Sequence, residues 1–271
     1  MSNCQYCGNK DVLTREHIVP AYMYNFQKEL ENRVTGWNEV AQKMVGGEFK
    51  IKDVCGTCNN GVLSDLDEYS KMFLQDSGVF VQNYVKNHLS FTYDYDLLLR
   101  WLLKVSFNSS RTDGVHKHLF EKYIPFILNG SESPKKNNIS IVAQMVAPEV
   151  LENSGINKES FLKLSAGSHK LNPFLIRICY GKVRGASGYT LRMIIIGPIV
   201  FHLLMFDDNI SPGHAATEVR RIIKSESSAK FLMRDRNHIL LMQGRKSWLD
   251  LYQHQVDRVN NPVNKSFKQN C

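Results

Sequence analysis

Two Cys-x2-Cys pairs constrain this chain more than any other feature. Cys4 and Cys7 flank Gln5-Tyr6 and precede Gly8, and Cys55 and Cys58 flank Gly56-Thr57. A Cys-x2-Cys turn aims both thiolates at one point, and two such turns complete a tetrahedral four-sulfur site suited to Zn2+. A site closed by four sulfurs is structural, because it leaves no position for water or substrate. Between Cys7 and Cys55 lie 47 residues. Compact zinc ribbons are shorter, so further structure is expected inside the loop. Cys179 lies in an apolar run and reads as core, and Cys271 is the last residue. Neither is needed for the metal.

Composition narrows the setting. With 271 residues and 43% hydrophobic content, the chain can bury one or two cores, which excludes intrinsic disorder. The longest apolar stretch, 193–206, is shorter than the roughly 20 residues of a spanning helix and is broken by Gly197-Pro198. No membrane partner is expected. The first ten residues, MSNCQYCGNK, lack the apolar segment of a signal peptide. A cytoplasmic, reducing location follows, in which the cysteines serve a metal in place of disulfides. The net charge of +8 is unevenly spread: residues 1–88 hold 9 Lys and Arg against 11 Asp and Glu, and the remainder 25 against 15. The basic excess therefore lies after residue 88, where it suits either a polyanionic partner or a solvated surface.

Periodicity separates a helical part from a strand-rich part. Helices are expected over 59–75, 96–107 and 115–128, the last kinked at Pro125. The polar stretch NGSESPKKNN at 129–138 offers an internal boundary. Beyond it, 139–146, 174–180, 189–196 and 199–206 are β-rich, with shorter runs at 230–233 and 238–242. Ser211-Pro212 opens a helix, and Trp248, Tyr252, Val256 and Val259 mark a final amphipathic one. The expected class is α+β: a zinc-stapled module at 1–75, then helices and a mixed, largely antiparallel α+β domain over 76–271.

Between the cysteine pairs stands Glu16-His17-Ile18-Val19-Pro20, and Asn59 directly follows the second pair. In this order the first 75 or so residues resemble the HNH nucleases, the zinc-knuckle branch of the ββα-metal fold. The resemblance implies a metal-dependent endonuclease acting on nucleic acid, with DNA expected before RNA. It implies that His17 is the general base taking a proton from water, a role that suits a histidine at physiological pH. It implies that Glu16 and Asn59 hold Mg2+ or Mn2+ through hard oxygens, with Asn60 replacing Asn59 if the register slips by one. Arg15 and Lys50 are the cationic candidates for phosphate contact. The Asn that orients the base in this family has no counterpart near Lys50-Ile51-Lys52-Asp53, which leaves Asp53 or a backbone carbonyl for that task.

Two rival readings accompany the nuclease. One is a zinc-stapled nucleic-acid-binding protein that does not cleave, motivated by the missing Asn. The other places the nuclease in anti-phage defence or a mobile element, with the C-terminal part docking a protein partner or a second copy. That last reading rests on family analogy alone.

Overall fold

The computed structural model describes residues 2–30, 35–38, 43–112, 116–134, 138–181, 183 and 185–252. In chain order the elements are β1 (Ser2–Asn3), β2 (Lys10–Asp11), β3 (Leu13–His17), α1 (Ala21–Glu29), β4 (Thr35–Asn38), β5 (Lys43–Gly46), β6 (Lys50–Cys55), α2 (Gly56–Asn60) and α3 (Val62–Asp76). They continue with β7 (His88–Thr92), α4 (Tyr95–Ser110), α5 (His118–Glu121), α6 (Ile124–Asn129), β8 (Ile139–Ala147), β9 (Glu149–Val150), α7 (Lys158–Leu164) and β10 (Lys170–Leu171). The last are β11 (Ile176–Gly181), β12 (Tyr189–Ile196), β13 (Ile199–Phe206), α8 (Pro212–Ser225), β14 (Lys230–Phe231) and β15 (His238–Ser247). The class is mixed α+β, and no described helix is long and apolar enough to cross a membrane.

The chain packs as two units, one of Met1–Asp76 with Tyr93–Pro134, the other of Ser77–Thr92 with Lys135–Cys271. Helices α4 to α6, expected from sequence to connect two domains, cluster with the N-terminal residues. Their composition explains this. In α4 twelve of sixteen residues are buried, among them Leu98, Trp101, Leu102 and Phe107. A helix apolar on nearly all sides needs neighbours all around, and α3 and α6 supply them. Asp94 caps α4 by accepting from the Leu97 N–H. α3 contributes Leu63, Leu66, Phe73 and Leu74, recurring at the helical spacing of one buried face.

Two local expectations change. The stretch 115–128 is not one kinked helix: α5 ends at Glu121 and α6 begins at Ile124, with Pro125 in the first turn of α6. Proline fits there because first-turn N–H groups have no intrahelical partner to lose. The loop after Pro20 contains α1, which buries Met23 and Tyr24. It starts on Pro20 without a side-chain cap, so no capping signal announced it. Residues 248–252 are helical, while Val256 and Val259 lie outside the described residues.

The second unit is built on a seven-stranded sheet ordered β11-β12-β13-β8-β15-β7, with β14 also on β8. Every pairing is antiparallel except β15 with β8. All nine residues of β8 are buried, as a central strand covered on both faces requires. Gly197, at φ +51°, makes the tight turn with Pro198 between β12 and β13. α8, capped by Ser211, packs Ala215, Val219 and Ile222 over Leu204 and Phe206.

This core holds a buried imidazole. His202 Nε2 lies 3.0 Å from Gln144 Oε1 on the neighbouring strand. Burial pushes the His202 pKa down from 6.5 to about 4. Below pH 6.5 the unfolded chain therefore binds a proton that the folded protein refuses. Stability is full above pH 6.5 and falls between there and pH 4, by about 3 kcal/mol in all. Urea midpoints measured across this window are expected to fall less steeply in His202→Gln than in the parent. Identical slopes would refute the assignment.

Candidate metal centre and active site

The first unit brings the two cysteine pairs together through short-range structure. β1 and β2 pair as a minimal hairpin, in which Gly8 takes a φ of +74° and donates to the Cys4 carbonyl at 3.0 Å. Cys55 ends β6 and precedes α2, and Cys58 sits within that helix. The Gln5 N–H donates to the Asp53 carbonyl and the Cys55 N–H to Cys4 Sγ, at 3.0 and 3.4 Å. The four Sγ atoms all lie within 4.8 Å of one another. Cys7 and Cys55 are 3.8 Å apart at sulfur, matching the edge of about 3.8 Å that Zn–S bonds of about 2.3 Å give a tetrahedron. The donors fit a zinc ion. It would act as a structural staple between the hairpin and the start of α2.

β3 and β6 pair antiparallel, with a register shift between Thr14 and Arg15. Adjacent residues on a strand face opposite sides, and this separates Glu16 from His17. His17, 23% exposed at its side chain, places Nε2 2.9 Å from Glu48 Oε2. Glu48 is held from two further sides by Lys28 Nζ at 2.5 Å and Lys50 Nζ at 2.8 Å. Hydrogen bonds from Lys28, Lys50 and His17 hold its carboxyl well below the usual range. An ionised carboxylate only accepts, so Nε2 is the donor in this contact, and in the neutral imidazole the lone pair then lies on Nδ1.

Glu16 turns inward and is 4% exposed. Its Oε1 accepts from Lys104 Nζ and Asn108 Nδ2, both at 2.9 Å. Lys104, 1% exposed at its side chain, also meets Asp67 at 2.6 Å. Asn108 is fully engaged: Nδ2 donates to the His17 carbonyl at 2.8 Å, and Oδ1 accepts from Tyr6 and Arg111, each at 2.6 Å. Arg111 Nη1 in turn holds Asp53 at 2.6 Å. The polar face of α4 thus clamps the end of β3 from beneath.

The other site candidates fall as follows. Asn59 uses its amide N–H groups on Thr14 Oγ1 at 2.9 Å and the Arg15 carbonyl at 3.2 Å, tying α2 to β3. The residue at the N-cap of α2 is Cys55. Asn60 and Arg15 are exposed, and Lys50 is engaged by Glu48. Asp53 is taken by Arg111 and does not orient His17. Of the pair expected to hold Mg2+ or Mn2+, Glu16 has Oε1 buried against an ammonium, and Asn59 turns its amide N–H groups to β3. Among the described residues, the four cysteines are the one group of three or more His, Cys, Asp or Glu placed to hold a metal.

Sequence reading missed Glu48, Lys28, Lys104, Asn108 and Arg111. A signal existed for the last three. They recur at i, i+4 and i+7 along the largely buried α4 and its C-cap, and buried polar groups need partners. No family model, curated protein or solved structure matches the chain.

Proposed function

We propose that the first unit is an HNH-type endonuclease, hydrolysing phosphodiester bonds with His17 as general base. The observation that carries this reading is the His17–Glu48 contact at 2.9 Å on a hairpin joined to a four-cysteine cluster. Water loses its proton to Nδ1 of His17. The imidazolium that forms is countered by Glu48, already bonded to Nε2, so little reorganisation is needed as charge develops. Lys50 and Arg15 meet the phosphate. Asn108 holds the His17 backbone and acts by positioning. The HNH resemblance also implies a divalent ion, for which Glu16 and Asn59 are the candidate ligands; Lys104 already engages Glu16 Oε1.

A second reading, a nucleic-acid-binding protein without turnover, is favoured by that same commitment of Glu16 to Lys104. Incubation of purified protein with plasmid, with and without Mg2+ or Mn2+, separates the two. His17→Ala is expected to slow cleavage by about 10²–10⁴-fold. Glu48→Gln is expected to lower kcat by about tenfold with KM little changed, as loss of charge compensation in the transition state predicts. Equal cutting by parent and His17→Ala would remove the base. Binding without cutting in any metal would leave the second reading.

A further inference from the structure

On the outer face of the β3–β6 hairpin two cations oppose each other. Arg15 and Lys52 are direct partners in the ladder and both are exposed. Like charges in that position repel and weaken a strand pair. The register is what makes them meet. Thr14 pairs with Val54, so an unbroken ladder would set Arg15 opposite Asp53, an attractive pair. Instead the register shifts by one residue between Thr14 and Arg15. Asp53 is drawn to Arg111, and Arg15 is left against Lys52.

Nothing described relieves this repulsion. Glu48, the carboxylate that reaches His17 and Lys50, is already shared by three cationic partners. Among the described residues, Arg15 and Lys52 have no ion pair. The next partners along the same face are His17 and Lys50. Bulges of this kind commonly re-aim side chains beside functional sites. Here the bulge removes an acid from a cationic strip that leads to the proposed base.

We propose that Arg15 and Lys52 form a two-point clamp for successive backbone phosphates of a nucleic-acid strand running toward His17. Choosing phosphate as the anion rests on the nuclease reading; the clamp itself does not require cleavage. A bound phosphate would turn the repulsion into shared attraction, because two cations on neighbouring strands straddle one anionic backbone.

The test measures binding by fluorescence anisotropy with the zinc-loaded full chain. The probes are labelled duplex DNA, single-stranded DNA and RNA, without added divalent ion. Lys52→Glu is expected to weaken binding to the preferred probe by at least about tenfold, and to reduce the salt slope by about 1–2. Its melting temperature is expected to rise by about 1–3 °C, since Arg15 then faces a carboxylate. Lys52→Arg is expected to keep both affinity and slope. Unchanged affinity in Lys52→Glu would overturn the clamp, as would equal competition by polyglutamate of matched charge. A lower melting temperature in Lys52→Glu would overturn the premise of repulsion. Parent protein that binds but never cuts keeps the clamp and removes the nuclease reading. Cutting with equal binding by parent and Lys52→Glu does the reverse.

Discussion

Removing zinc is expected to unfold the β1–β2 hairpin, the β3–β6 pair and α2, the part of the first unit that includes His17. Structural zinc contributes on the order of 10 kcal/mol of binding free energy to small four-ligand sites. The structure shows why little else would replace it. β1–β2 and β3–β6 are each two-stranded sheets, and such pairs are marginal alone in water. Metal content by mass spectrometry should give one zinc per chain. After a strong chelator, four additional thiols should react with a thiol reagent, and a transition should appear at lower temperature. Cleavage and binding should be lost together. Unchanged melting after verified metal removal would contradict the four-cysteine site.

Lys104→Ala is expected to destabilise the first unit by about 3–5 kcal/mol, the usual consequence of breaking a buried ion pair from one side. The variant leaves Glu16 and Asp67 without the ammonium that both approach within 2.9 Å. In the parent, burial disfavours the Lys104 charge, but Asp67 and Glu16 outweigh it and hold the amine above its usual pKa. Glu16→Gln should be milder, because Asp67 still faces the lysine and Asn108 can still bond the amide. Adding Glu16→Gln to Lys104→Ala should restore part of the loss, since one buried charge fewer is then unpaired. Urea denaturation of the four proteins measures this directly. Additive effects across the cycle would show that Glu16 and Lys104 do not interact.

The same cycle bears on mechanism. Glu16 and His17 are neighbours in sequence, and the motif they complete invites a shared catalytic role. In the fold they serve opposite sides of one strand. Glu16 anchors β3 to α4, and His17 faces outward to Glu48. A motif names residues by order along the chain, but the pleat of a strand divides them by face. The partner of His17 was illegible for a related reason. Glu48 shortly precedes β6, and only the pairing of β3 with β6 carries it to the imidazole.

The strand-rich second unit was largely visible as runs of β-branched and aromatic residues. Examples are 139–146, 189–196 and 199–206, which form β8, β12 and β13. The short strands β9 and β10, of two residues each, have no such signal because their pairing depends on neighbours, whereas β14 falls in the run expected at 230–233. The parallel pairing of β15 with β8 was equally hidden, since local sequence carries no information about strand direction.

What the sequence by itself determined is the four-cysteine cluster and the α+β character, together with most of the longer elements. Those features are local: a Cys-x2-Cys turn chelates through its own geometry, and hydrophobic periodicity declares a helix or strand within a dozen residues. Only the tertiary structure decided what surrounds His17. Glu48 lies 31 residues away and Asn108 lies 91. Whether Arg15 meets Asp53 or Lys52 turns on a one-residue shift in a ladder, because side-chain facing in a sheet has a period of two and one extra residue changes every partner beyond it.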